Sequence, residues 1–259
     1  MDLVHQLTPM LKSLRLSGIL ETLEVRNRSA IESKLSYVEF LAQLVEDEVE
    51  RRAQHKLKMR LRRAAFDPQK TLETFDFSAC PKLSQKEIAD LATCRFIERH
   101  ENVFFVGPGV GKSHLAQALG HEACRRGYDV IFMPAARALA QLAAGRADGT
   151  YERRLAGFAR PHLVILDDFG LKPLRPPAPE DLYEVVAERY EKGSMIVTSN
   201  RAFPEWPELF GEPLLASAAL DRLAHDAHQI VITGESYRTR ATRQRTAEKK
   251  AGNEARAAG

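Results

Sequence analysis

Gly107-Pro108-Gly109-Val110-Gly111-Lys112-Ser113 lies between an apolar run, Val103-Phe104-Phe105-Val106, and a segment with helical character. Backbone amides of a tight glycine turn, together with the positive end of the following helix, make a seat for phosphate oxygens. A lysine in the position of Lys112 reaches β- and γ-phosphates, and a hydroxyl in the position of Ser113 holds magnesium. The competing reading is a glycine turn that serves only close strand-to-helix packing; the adjoining Gly-Lys-Ser weighs against it. The spacing departs from the usual Gly-x-x-x-x-Gly-Lys-Ser/Thr, because only three residues separate Gly107 from Gly111.

Further along, Leu163-Val164-Ile165-Leu166-Asp167-Asp168 is an apolar strand ending in two acids, a costly arrangement unless a cation meets them. In a phosphate-loop enzyme the first acid, Asp167, serves magnesium, and the second, Asp168, polarises the attacking water. Thr198-Ser199-Asn200 ends another apolar strand. Asn200 there reads either as a group that positions water or touches a γ-phosphate, or as an ordinary turn residue. Arg222 and Arg238 read either as surface arginines or as cations that stabilise a transferring phosphoryl group.

Elements that position these residues follow from the hydrophobic pattern. Apolar runs at Val103–Val106, Val130–Met133, Leu163–Leu166, Met195–Thr198 and Ile230–Ile232 predict strands buried on both faces. Helices are predicted between them, Ser113–Arg126 stopped by Gly127 and Asp181–Lys192 stopped by Gly193. Alternation of this kind implies an α/β fold with a mainly parallel sheet flanked by helices. Residues 1–66 read as a separate helical domain. Ser36-Tyr37-Val38-Glu39 is a capping box that opens a helix from about Tyr37 to Ala65, with Phe40, Leu41, Leu44, Val45 and Val49 as its apolar stripe. Residues 67–240 form the α/β domain, and 241–259 form a basic tail that reads as disordered.

The chain has 259 residues, 44% hydrophobic and 28% charged, in the range of a soluble globular protein. Its net charge of +3 is too small to argue for a nucleic-acid partner, so local clusters carry that question. Arg51, Arg52, Lys56, Lys58, Arg60, Arg62 and Arg63 follow one another with no acid between them. They read equally as a solvated helix end complementing its own dipole or as a DNA-phosphate face. Cys80, Cys94 and Cys124 lack paired spacing, which argues for buried thiols over a metal site or disulfides. No apolar run reaches the length of a membrane span, and the N-terminal residues lack a signal-peptide pattern, so the cytoplasm is expected.

The order of phosphate loop, Asp-Asp strand end, Ser-Asn strand end and two late arginines resembles the AAA+ ATPases. Within them the chain resembles the IstB-like transposition helpers, kin of the DnaC helicase loaders. The stretches that carry this are Thr74-Phe75-Asp76-Phe77, Gly111-Lys112-Ser113-His114-Leu115-Ala116, Leu166-Asp167-Asp168-Phe169-Gly170-Leu171, Ile196-Val197-Thr198-Ser199-Asn200, Leu220-Asp221-Arg222-Leu223 and Gly234-Glu235-Ser236-Tyr237-Arg238. The resemblance implies ATP held by Gly107, Pro108, Gly109, Val110, Gly111, Lys112, Ser113 and His114, with Mg2+ at Ser113 and Asp167. It implies Asp168 as the water-activating acid, Asn200 as first sensor, Arg222 as a finger acting on a neighbouring subunit's ATP and Arg238 as second sensor. It further implies a homo-oligomer on double-stranded DNA that presents target DNA to a transposase; relatives that load helicases engage a helicase instead. The family pattern has one more residue between Pro108 and Gly109. Either β-strand sliding supplies that length, or the loop loses one inward amide and ATP binds more weakly, leaving a DNA-binding scaffold defective in hydrolysis as the alternative.

Overall fold

A computed structural model of the chain describes residues 3–108 and 111–233. Gly109, Val110, Arg238 and the basic tail lie outside the described residues. Contacts divide the chain into two compact units, 1–60 and 61–259.

The first unit contains helices α1 (Leu3–Ser13), α2 (Ser17–Ser33) and most of α3 (Tyr37–Ala64). The Ser36 capping box forms as expected: the Ser36 amide donates to Glu39 Oε2 at 2.8 Å, and the Glu39 amide donates to Ser36 Oγ at 3.3 Å. Gly18 lets α2 come close to α3, since a Cβ there would lie 2.7 Å from Glu48 Cα. The Gly18 amide donates to Glu48 Oε2 at 2.6 Å, and Arg26 clasps Asp47 through two bonds of 2.9 and 2.6 Å. These polar contacts, with buried Leu44, set the packed face of α3. The expected apolar stripe is therefore corrected: Leu41, Val45 and Val49 point to solvent and only Leu44 of the set is buried.

The second unit is built on five parallel strands in the order β2-β3-β4-β1-β5. They are β1 (Val103–Val106), β2 (Val130–Pro134), β3 (Leu163–Phe169), β4 (Ser194–Ser199) and β5 (His228–Val231). All four residues of β1 are buried, as its unbroken apolar run requires. Helices α4 (Gln85–Leu91), α5 (Arg95–Glu98), α6 (Lys112–Arg125), α7 (Ala135–Asp148), α8 (Tyr151–Ala159), α9 (Ala178–Arg189) and α10 (Pro213–Ala224) flank the sheet. Helix α9 starts earlier than its expected Asp181 because Pro179 is tolerated in a first turn, where no backbone donor is needed. Trp206 is fully buried and packs against Phe104, Phe169 and Phe203 in the core. Cys80, Cys94 and Cys124 are buried and unbridged. Among the described residues no helix is long and apolar enough to cross a membrane.

Candidate functional site

The carboxyl ends of β1, β3 and β4 meet at one edge of the sheet, with β4 between the other two. Gly107 leaves β1 with φ +102°, a backbone state that suits glycine, and a Cβ there would lie 2.9 Å from the Ile232 carbonyl. Gly111 closes the turn at φ +90°, with the Phe75 ring so near that a Cβ would meet it at 2.7 Å. Helix α6 begins at Lys112, so the positive amino end of the helix lies beside the turn. A turn that only joined strand to helix would not need a lysine buried within it. Lys112 is 6% exposed, and its Nζ donates to the Gly107 carbonyl at 2.7 Å. Burial holds this ammonium below its usual range, while the carboxylates of Asp168 and Asp167 act in the opposite direction.

The two acids owe their placement to a β-bulge. Leu166 pairs with Val197 and Phe169 with Ser199, so Asp167 and Asp168 together oppose the single residue Thr198. Asp168 takes φ +55°, which turns the chain and leaves its side chain exposed while Asp167 stays buried. Thr198 bridges them: its Oγ1 donates to Asp167 Oδ1 at 2.5 Å and accepts the Asp168 amide at 2.9 Å. Thr198 escapes the sequence reading, which settled on Asn200 two residues later. The available signal was a hydroxyl at the end of an apolar strand lying opposite the acid pair. Ser199 adds a second latch, donating to the Phe169 carbonyl at 2.7 Å.

The structure thus brings Gly107, Gly111, Lys112, Asp167 and Asp168 to one edge, with half-buried Ser113 next to the lysine. Asn200 follows β4 at the same edge and is exposed. His114 turns away to the preceding segment, where its Nε2 donates to the Thr71 carbonyl at 2.8 Å and its ring meets Phe75 edge-on. Arg222 is not with them. It stands near the end of α10, at the edge of the sheet where the strands begin, with Nη1 donating to the Ala218 carbonyl at 2.7 Å.

The donor set fits a phosphate chain with magnesium. The glycines leave room where a Cβ would collide, the lysine is buried and cationic, and a hydroxyl and a carboxylate supply hard oxygen ligands. Magnesium needs few protein ligands when phosphates and water complete its shell. Among the described residues no three or more His, Cys, Asp or Glu side chains gather as a metal cluster.

In the basic stretch, Arg51 and Arg52 are committed within the first unit. Arg51 pairs with Glu21 at 2.5 Å, and Arg52 pairs with Glu48 at 2.6 Å. Lys56, Lys58 and Arg62 are exposed, Arg60 is half-buried, and Arg63 lies 3.8 Å from Asp129.

Residues 9–245 match the family described as IstB-like ATP binding protein. The chain is 44% identical over 238 residues to a putative ATP-binding protein in an insertion sequence of Mycobacterium tuberculosis, covering 91% of this chain and 95% of that protein. It is 38% identical over 242 residues to the insertion sequence IS21 putative ATP-binding protein of Pseudomonas aeruginosa, covering 93% and 91%. Among solved structures it is similar to DnaI, with a TM-score of 0.53 at 20% identity over 65% of this chain and 95% of that one. AMPPCP-bound DnaA from Aquifex aeolicus gives a TM-score of 0.53 at 21% identity over 64% and 50%. These structural likenesses agree with the expected AAA+ P-loop fold.

Proposed function

The chain belongs to the IstB-like ATP-binding protein family, and from that premise we propose that it is an ATP-hydrolysing, DNA-binding transposition helper. It assembles with copies of itself on double-stranded DNA and presents target DNA to a partner transposase, with hydrolysis controlling assembly. The observation that supports this best is the convergence of Lys112, Asp167, Asp168 and Thr198 around a positive-φ glycine turn at the carboxyl edge of a parallel sheet.

Each residue then has a task. The amides of the turn and of the first turn of α6 bind phosphate oxygens, and Lys112 leaves the Gly107 carbonyl to meet the β- and γ-phosphates. Ser113 and Asp167 would hold magnesium, which would supply positive charge beside the phosphates. Thr198 keeps the Asp167 carboxylate in one rotamer, so the ligand is preset. Asp168, exposed beyond the bulge, takes the proton of the attacking water, and Asn200 orients that water. Arg222 stands at the other edge and serves a neighbouring subunit's nucleotide; Arg238 contacts nucleotide as second sensor. Lys56, Lys58, Arg60, Arg62 and Arg63, with the basic tail, give salt-sensitive, sequence-tolerant contacts to DNA phosphates.

ATP turnover measured with and without duplex DNA tests this. DNA-stimulated hydrolysis that disappears in Lys112→Ala is the expected result, and turnover unchanged in that variant removes the site assignment. A second reading, a DNA-binding scaffold defective in hydrolysis, draws on the short spacing from Gly107 to Gly111. Under it, DNA is bound with no turnover above background. A helicase-loading role would show as co-purification with a replicative helicase in place of a transposase.

A further inference from the structure

Past Leu166 and Val197 the register of β3 and β4 shifts at the bulge, and side chains from β4 and the turn after it serve as rungs between the two strand ends. The Asp168 amide donates to Thr198 Oγ1 at 2.9 Å, Ser199 Oγ donates to the Phe169 carbonyl at 2.7 Å, and Arg201 Nε donates to the Gly170 carbonyl at 2.9 Å. The third rung has no task in the function proposed above. Ser199 Oγ also accepts the Arg201 amide at 3.1 Å, so the second and third rungs are joined. Gly170 and Ser199 are buried. Arg201 is half-buried, and its stem lies over Gly170, where an added Cβ would stand 3.5 Å from Arg201 Cδ.

These bonds bracket the two residues that face the proposed reaction. Asp168 lies between the Thr198 bond at its own amide and the Arg201 bond two residues on. Asn200 lies between Ser199 and Arg201, both tied to the end of β3. Asn200 is exposed, and its side chain makes no hydrogen bond among the described residues, so its clamped neighbours aim it. Asp168 holds φ +55°, and left-handed backbone at a residue other than glycine persists where its surroundings hold it. Thr198 holds one side of that turn and Arg201 the other. Arg201 Nη1 faces Glu205 at 3.8 Å, and Glu205 is itself anchored by the Ala202 amide at 3.1 Å. With Nε engaged by Gly170 and the charge turned toward an acid, Arg201 has the arrangement of a brace and not of a phosphate ligand.

We infer that Arg201 is a positioning residue for ATP hydrolysis. Its bond to the Gly170 carbonyl fixes the separation between the Asp168 carboxylate, which takes the proton of the attacking water, and the Asn200 amide, which orients that water. The inference rests on the ATPase reading above and adds a residue to it. One water must meet both groups at once, and a misplacement of about 1 Å in such an arrangement costs about a hundredfold in rate. ATP binding draws on the glycine turn and Lys112, which this bond does not touch.

ATP affinity and steady-state turnover on duplex DNA, measured for full chains carrying Arg201→Met, Arg201→Gln, Asn200→Ala and the pair Arg201→Met with Asn200→Ala, test this. Methionine fills the place of the stem and has no donor. Glutamine carries its amide nitrogen on Cδ, the carbon that carries Nε in arginine, so it keeps the donor and drops the charge. The expected result is a kcat lower by about ten- to a hundredfold in Arg201→Met, with KM and ATP affinity unchanged. Arg201→Gln should keep most of the parent turnover. Arg201→Met added to Asn200→Ala should slow turnover far less than it slows the parent, because the two residues act as a unit. A methionine chain as fast as the parent overturns the inference. So does a glutamine chain as slow as the methionine chain, which would mark a charge that touches phosphate. Affinity that falls in step with kcat, or a full loss on top of Asn200→Ala, overturns it as well, since either marks general loosening. Should the methionine chain fail to fold, the glutamine chain decides: near-parent turnover supports the brace and slow turnover overturns it. A parent chain no faster than Lys112→Ala removes the ATPase reading and this inference together, whereas turnover that needs Lys112 and ignores Arg201 removes the inference alone.

Discussion

Replacing Thr198 by valine removes one oxygen and keeps the branched shape of the side chain. Two hydrogen bonds are lost, one to the Asp167 carboxylate at 2.5 Å and one from the Asp168 amide at 2.9 Å. The first is charge-assisted and worth about 1.5–3 kcal/mol, the second about 1 kcal/mol, so a loss of about 3 kcal/mol is expected. Thr198 is fully buried, so water cannot replace either partner without opening the sheet edge. Thr198→Ser keeps the hydroxyl and loses only a methyl, which costs about 1 kcal/mol. Denaturant titration of the parent, valine and serine chains should therefore rank valine well below serine. ATP turnover should follow the same order, because an Asp167 carboxylate free to rotate no longer presents a fixed ligand. A valine chain within about 0.5 kcal/mol of the parent, or less affected than the serine chain, would refute the claim that this hydroxyl holds the acid pair.

Gly111→Ala forces an alanine to φ +90° and into the Phe75 ring; nucleotide affinity by titration should fall about tenfold or more, and an unchanged affinity would show that the turn tolerates a side chain. Arg189→Met removes the guanidinium's hydrogen bonds to five backbone carbonyls; a loss of about 3–5 kcal/mol in unfolding free energy is expected, and a loss under 1 kcal/mol would show that these bonds are easily replaced. In the first unit, hydrogen bonds from Arg26 and from Thr22 hold the Asp47 carboxyl down at about 2, from an ordinary 3.8. A carboxylate with a lowered folded value stabilises above its ordinary value and loses that contribution as pH falls through its folded one. Helical signal of the full chain should thus decline between about pH 4 and 2, and Asp47→Asn should flatten the part of that decline that belongs to this pair; an identical profile would remove Asp47 from the acid response.

The strands were legible because a parallel strand buried on both faces leaves an unbroken apolar run, as in Val103–Val106 and Leu163–Leu166. The glycine turn and the acid pair were legible because their chemistry is written in adjacent residues. Thr198 was not, because its role depends on a bulge that sets two residues of β3 against one of β4, and a bulge has no local pattern in an apolar run. The packed face of α3 was missed for a related reason. Gly18 admits Glu48 across thirty positions of chain, and that polar contact, not the count of apolar side chains, decides which face turns inward. Arg51 and Arg52 show the same limit, since the acids that claim them, Glu21 and Glu48, lie on another helix or one turn back.

Separation of Arg222 from Lys112 has a geometric consequence for the proposed ATPase. One edge of the sheet carries the glycine turn, Asp167 and Asp168; the other carries Arg222. A subunit that uses Arg222 on a phosphate held by a second copy must present different surfaces to its two neighbours. Such an interface is heterologous and generates a closed ring or an open helix, not a two-fold dimer of like faces. Duplex DNA, itself a helix with a repeating charge lattice, suits either form. The arrangement also makes complementation directional. Lys112→Ala subunits keep the arginine and Arg222→Ala subunits keep the turn, so mixing them should restore part of the ATP turnover that neither shows alone. Mixed chains no more active than the sum of the two variants would place the action of Arg222 elsewhere and remove the need for unlike faces.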